Sequence, residues 1–279
     1  GLLYSNPSAA YLSEFLVGGL DQASRSDIQL VVERCDPDDA APHGVERLVT
    51  SGVHGLILPP PLCDCAAVLD MVRRARVPAV VVATSHPPAD AGAVFIDDRR
   101  AAFDMTAHLI ALGHRRIGFI LGNPNLAASR ERLDGYRAAL AEAGIAPDAA
   151  LLADGLFTYR SGLQAADALL ERADAPSAIF ASNDDMAAAA VAVAHRRGLD
   201  VPNDLTVCGF DDSAIATTIW PELTTIHQPI ADMSRAAVEQ LAIMLRAQRN
   251  GTSDVRHVRL DYTLIRRQSD AAPPLPARA

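Results

Sequence analysis

The strongest constraint on this chain is its alternation of short apolar runs with helix-length amphipathic stretches. Strand-sized runs fall at 1–4, 28–33, 55–58, 77–83 and 94–96, and a second series follows at 116–121, 149–153, 178–181 and 205–209. A parallel strand covered by helices on both faces reads as an unbroken apolar run, and strand–helix–strand alternation is the signature of βαβ units. The expected fold class is therefore α/β, with two similar doubly wound parallel sheets. The 279 residues, 49% of them hydrophobic, suffice to fill two cores.

Between the runs, helices are predicted at 8–24, with Leu12, Phe15 or Leu16 and Leu20 at helical spacing and Ser8 as N-cap, and at 101–112, ending at Gly113. Further helices are expected at 129–143, ending at Gly144, and at 186–197, ending at Gly198 and so rich in Ala that it must pack closely against a neighbour. After Gln228 come a helix at 230–246, a polar loop at 250–254 and a strand pair within 255–267. The Pro- and Ala-rich residues 271–279 lack the means to bury a core and are expected to form a disordered tail.

The formal charge of −9 argues against this segment gripping a phosphate backbone, which needs clustered Lys and Arg. Four cysteines, Cys35, Cys63, Cys65 and Cys208, are too few and too irregular for a disulfide scaffold; they read as reduced thiols, consistent with the cytoplasm. The longest apolar runs, such as 77–83, are strand-sized and far short of the roughly 20 residues that span a bilayer, so no membrane association is expected. The chain opens without Met inside a strand run, Gly1-Leu2-Leu3-Tyr4, so a preceding segment is expected to have been removed.

Polar groups concentrate where the second series of strands ends: Asn183-Asp184-Asp185 after one run and Asp211-Asp212 after another. Ends of parallel strands lie side by side, so these groups are expected to face one crevice. Arg132, in the first turns of the helix after 116–121, reaches the same edge, and a guanidinium with a carboxylate can engage adjacent sugar hydroxyls. Arg132 with Asp211 is the leading pair. Capping or surface roles are the alternative for Asp184, Asp185 and Asp212, and solvation for Arg130 and Arg137.

Aromatic residues are only 5% of the chain. Tyr11 and Phe157 are candidate stacking rings, whereas core packing competes for Phe15 and Phe210. Sequence signatures of enzymes are missing: there is no Gly-x-Ser-x-Gly elbow, P-loop, His-Glu-x-x-His or Gly-x-Gly-x-x-Gly. The doublets Asp97-Asp98, Asp184-Asp185 and Asp211-Asp212 leave a Mg²⁺ site as a minor alternative. The expectation is a non-enzyme without cofactor or metal.

Taken in order, several segments resemble the effector-binding core of the LacI/GalR family of bacterial transcription regulators. They are Gly55-Leu56-Ile57-Leu58, Val94-Phe95-Ile96-Asp97-Asp98-Arg99, His108-Leu109-Ile110-Ala111-Leu112-Gly113-His114, Arg130-Glu131-Arg132-Leu133-Asp134-Gly135-Tyr136, Ala181-Ser182-Asn183-Asp184-Asp185-Met186, Gly209-Phe210-Asp211-Asp212 and Leu223-Thr224-Thr225-Ile226 with Gln228. The resemblance spans nearly the whole chain and implies a periplasmic-binding-protein-like type I fold, two lobes joined by a three-crossover hinge near 107–113, 228–230 and 251–255. The lobes it implies are 1–110 with 229–253 and 111–228 with 254–270. It further implies ligand contacts from Arg132, Asn183 and Asp211, a stacking ring at Phe157, Tyr11 lining an interlobe cleft from the amino-terminal lobe, and Gln228 on its floor. Two positions depart from the family pattern: Ala128 stands where relatives often carry a hydroxyl, and Asp98 where Asn is usual.

The resemblance also implies a homodimer, with Ile219, Trp220 and the helix beginning at Met186 as the contact surface. The expected ligand is a sugar, with a purine second. Operator DNA is expected to be bound only through an amino-terminal helix-turn-helix domain that this sequence does not contain. The competing reading is a periplasmic sugar-binding protein of a transport system.

Overall fold

The computed structural model describes residues 1–6, 8–35 and 41–273. It divides into two compact units, the first comprising Gly1–Asp97, Asn125–Ala127 and Pro229–Asp261, the second Asp98–Pro124, Ala128–Gln228 and Tyr262–Ala279.

The first unit holds a six-stranded sheet in the order β11-β5-β4-β3-β1-β2, all its pairings parallel. The strands are β1 (Leu2–Tyr4), β2 (Val32–Arg34), β3 (Leu56–Leu58), β4 (Ala79–Val82), β5 (Gly92–Phe95) and β11 (His257–Arg259), flanked by α1 (Ala9–Arg25), α2 (Ala41–Thr50), α3 (Ala66–Ala75) and α9 (Ile230–Arg249). Helix α9 buries Ile230, Met233, Ala237, Leu241 and Met244, a stripe at three- and four-residue spacing that packs on β3, β4, β5 and α1. Ser8 does cap α1, its hydroxyl accepting from the Tyr11 amide at 3.3 Å. The buried face of α1 differs from the one predicted, however. It is Tyr11, Phe15, Gly18, Gly19 and Ala23, while Leu20 is 52% exposed and Val17 63%. Close approach of α1 to α9 demands glycine at Gly18 and Gly19, and Val17 and Leu20 turn outward.

The second unit carries the parallel sheet β7-β6-β8-β9, built of β6 (Ile117–Ile120), β7 (Leu152–Ala153), β8 (Ala178–Ala181) and β9 (Thr206–Cys208). Of the run at 149–153, the first three residues form a 3₁₀ turn capped by Asp148, and only Leu152–Ala153 pairs as a strand. The unit's helices are α4 (Asp98–Ala111), α5 (Ala127–Glu142, whose first residue belongs to the first unit), α6 (Tyr159–Leu170), α7 (Asp184–Arg196) and the short α8 (Ile215–Thr218). Strand β10 (Thr225–His227) pairs antiparallel with β12 (Thr263–Ile265), and bridges Cys208↔Thr224 and Asp211↔His227 connect β10 to the chain leaving β9.

Unit boundaries, strand pairings and the end of the chain also differ from expectation. Residues 98–110 group with the second unit, because α4 packs on β10 and β12 and His108 bonds the buried Asp270 at 2.9 Å. The strands at 255–267 do not pair with each other: β11 extends the first sheet beside β5, and β12 joins β10 in the second unit. The supposed tail is ordered at its start, where the Ala271 carbonyl accepts from Thr206 at 3.1 Å and contacts a His114 ring nitrogen at 2.9 Å. Residues 274–279 lie outside the described residues.

Helix α7 is apolar nearly all round and buries Met186, Ala187, Ala188, Ala189, Ala190, Val191, Val193 and Ala194. Alanine favours the helix and keeps it thin enough to lie on the sheet close beside α6. At the tightest point a Cβ on Gly162 of α6 would sit 2.6 Å from the Met186 Cα, a backbone atom that cannot step aside. Gly162→Val is expected to destabilise the protein by about 3 kcal/mol, the upper range for overpacking. Urea denaturation followed by circular dichroism measures this, and an unchanged midpoint would contradict the packing described.

Candidate functional site

In the second unit the chain leaves β6 toward β7 on one side and returns to β8 on the other, so the carboxyl ends of β6 and β8 form the sheet's switch point, where α/β sheets open a crevice. Ser182, directly after β8, closes this point: its hydroxyl donates to the Ile120 carbonyl at 2.7 Å, and its own carbonyl accepts from Arg132 at 2.5 Å. Arg132 reaches it because Tyr136, four residues on and therefore on the same face of α5, fixes the helix against the sheet. The Tyr136 hydroxyl donates to the Ile117 carbonyl at 2.8 Å, and its ring stacks on Phe119 at 4.9 Å.

Arg132 is only 4% exposed. Its Nε donates to Asp98 at 2.7 Å, one terminal nitrogen to Ser182, and the other to the Gln228 side-chain oxygen at 3.3 Å. Asp211 stands 3.9 Å from the guanidinium, whose face lies 3.5 Å from the centre of the Phe210 ring, with Phe157 farther out at 5.9 Å. A buried guanidinium is tolerable only with such partners, and removing one partner of a buried pair costs about 3–5 kcal/mol.

Asp211 occupies a strained corner, with φ of +108° there and +58° at Asp212. Two consecutive non-glycine residues at positive φ cost of order 1–3 kcal/mol each and persist only when neighbours over-determine them. Here the Asp211 amide donates to Ile226 at 2.9 Å, and Asp212 is clamped by Arg267 at 2.5 Å and the His227 ring at 3.0 Å. The corner turns the Asp211 carboxylate toward Arg132. Burial pushes the Asp211 carboxyl well above the usual range; Arg132 opposes this, while Asp184, Asp185 and Asp98 add to it.

Asp184 and Asn183 act within the scaffold. The Asp184 carboxylate accepts from Thr225 at 2.6 Å and from the Ser213 amide at 2.8 Å, tying the first turn of α7 to β10. Burial raises its carboxyl to about 7, against those bonds, which favour ionisation. A Cβ at position 209 would fall 2.1 Å from its oxygen, so the Gly209 position admits no side chain. Asn183 caps α7, accepting from the Met186 amide at 3.0 Å and donating to the Phe157 carbonyl at 3.2 Å.

The structure thus brings Arg132, Asp211, Gln228, Phe157 and Asn183 into one constellation, and adds Asp98, Ser182 and the Phe210 ring face. Asp98 went unassigned because an acid in the first turn of a helix looks like any other cap. Tyr11 belongs to the first unit, is 7% exposed and stacks on Phe15 with centroids 6.1 Å apart. Among the surface candidates, Trp220 is 73% exposed and Ile219 partly buried, but Met186 is fully buried in the second core. Met186 is therefore withdrawn from the contact surface, since α6 and the sheet already cover it. The acidic doublets diverge to separate partners, and no group of three or more His, Cys, Asp or Glu among the described residues is arranged to hold a metal ion.

Residues 106–269 match the periplasmic binding protein-like domain family. The chain is 30% identical over 271 residues to catabolite control protein A of Priestia megaterium, covering 96% of this chain and 80% of that protein. It is 37% identical over 170 residues to the HTH-type transcriptional regulator DegA of Bacillus subtilis, covering 61% of this chain and half of that regulator's length. Among solved structures, a complex of the transcriptional regulator CelR with cellobiose superimposes with a TM-score of 0.88 at 30% identity, over 96% of this chain and 83% of that one. The fold, the matched domain and the similarity to these regulators along nearly its full length show that this chain belongs to the LacI/GalR family of transcriptional regulators.

Proposed function

We propose that this chain is the effector-sensing and dimerisation core of a bacterial transcriptional regulator, with a sugar as its effector. The observation that carries the reading is Arg132: a buried guanidinium at the sheet's switch point, flanked by Asp211 and Gln228 as acceptors. A sugar hydroxyl both donates and accepts, which suits a mixed set of this kind. The similar CelR structure holds cellobiose. Ligand contact is proposed for Arg132, Asp211, Gln228 and Phe157 of the second unit. Asn183 is proposed as a further ligand contact, its bond to the Phe157 carbonyl leaving one amide N–H to donate.

The chain works by binding rather than turnover, in the cytoplasm. Operator DNA is contacted by a helix-turn-helix segment outside this sequence, since a formal charge of −9 disfavours phosphate contact by this core. Effector binding shifts operator affinity by the difference in its affinity for the two conformations, typically about 1–3 kcal/mol. Among the described residues no helix is long and apolar enough to cross a membrane. Support for a homodimer comes from Trp220, with Ile219 beside it, and from Val17, Leu20, Val31 and Val32 on the first unit, which are 45–63% exposed. Regulators are the named relatives, and this favours the present reading over a transport protein.

Titration calorimetry against neutral mono- and disaccharides, cellobiose included, is expected to find a ligand whose binding falls about 100-fold or more in Asp211→Asn and in Arg132→Ala. Near-normal binding in both variants would remove these residues from the site. In sedimentation velocity the protein is expected to run as a dimer, and Trp220→Glu to shift it toward monomer. A dimer indifferent to that change would place the interface elsewhere.

A further inference from the structure

We propose that Asp98 sets the charge selectivity of the Arg132 site: by holding the guanidinium Nε it cancels the cation, so the site takes an uncharged polyhydroxyl ligand and turns away its phosphorylated or carboxylated counterpart. This rests on the reading that Arg132 and Asp211 contact the effector. Two carboxylates lie within 4 Å of the guanidinium, Asp98 at 2.7 Å and Asp211 at 3.9 Å. With both ionised the cluster carries a net negative charge, and with Asp211 protonated it is neutral. Asp184, fully buried nearby, and Asp185 only add negative charge, as their effect on Asp211 shows. No protonation state that keeps the Asp98 pair makes the site cationic.

The donors point the same way. A guanidinium has five N–H groups. The bonds to Asp98, Ser182 and Gln228 use one N–H on each of the three nitrogens, leaving two N–H groups, one on each terminal nitrogen, for a ligand. A phosphate or carboxylate group offers acceptors, so it would meet those two donors and then face Asp211, itself an acceptor when ionised. A neutral vicinal diol accepts from the arginine with one hydroxyl and donates to Asp211 with the other. Burial sharpens the discrimination, since water screens little at 4–8% exposure.

The test compares neutral sugars (glucose, galactose, ribose, cellobiose) with their own phosphates and aldonates, by calorimetry on the wild type and on Asp98→Asn. That substitution keeps a carbonyl oxygen to accept from Nε and removes one negative charge. For the tightest neutral sugar, the wild type is expected to discriminate against the anionic partner by about tenfold or more, and Asp98→Asn to narrow that ratio by about tenfold, as removal of a unit charge at contact distance requires. An anionic partner bound by the wild type as tightly as the neutral sugar overturns the proposal, as does an unmoved ratio in a variant whose circular dichroism is native. Should Asp98→Asn fail to fold, the wild-type ratio alone decides. If no sugar of either class binds the wild type, no ratio exists and the effector reading itself fails, which is a different result from a ratio of one.

Discussion

One buried positive charge organises the second unit. Arg132 lies where β6 and β8 part company, and an unpaired guanidinium at 4% exposure would cost more than a domain's marginal stability can bear. The surrounding structure is arranged to supply its acceptors. Asp98 comes from the first turn of α4, Ser182 from the end of β8, Asp211 from the corner after β9 and Gln228 from the end of β10. Four separate elements are thus fastened to a single side chain, so the site and the architecture of this unit cannot be varied independently.

That linkage explains which parts of the molecule were legible in the sequence. The α/β class was readable because strands buried on both faces leave unbroken apolar runs, such as 79–82 and 178–181. The nearness of Arg132 and Asp211 followed from topology, since Arg132 lies early in the helix after β6 and Asp211 just past β9, two strands of one parallel sheet. Asp98 stood out as a departure from the family pattern, but its pairing with Arg132 was not legible, because an acid opening a helix is a context shared by ordinary caps. Nor was the division of labour within Asn183-Asp184-Asp185. Only coordinates show that Asn183 spends both side-chain groups on the scaffold and that Asp184 serves Thr225 and Ser213.

Packing produced the other misreadings. Apolar spacing assigns Leu20 of α1 to the core, but α1 meets α9 along glycines, and the leucine faces out. Hydrophobicity identifies a helix's greasy side without saying how near its neighbour comes. The same blindness put Met186 on a surface, when the thinness of α6 and α7 at Gly162 draws it wholly inside. The consecutive strands at 257–259 and 263–265 looked like partners and instead belong to different sheets, a long-range choice that local composition does not encode.

The corner at Asp211 and Asp212 carries a consequence for how substitutions accumulate there. At φ of +108° and +58° a β-branched side chain collides with its own backbone, so most of the amino-acid alphabet is excluded before any guest molecule is considered. Aspartate, asparagine and glycine survive that first filter, and among them only aspartate brings an anion to the guanidinium. Chain geometry and recognition therefore select the same residue twice over, which narrows the route by which this pocket could drift toward a new chemical preference to changes at neighbouring, unstrained positions.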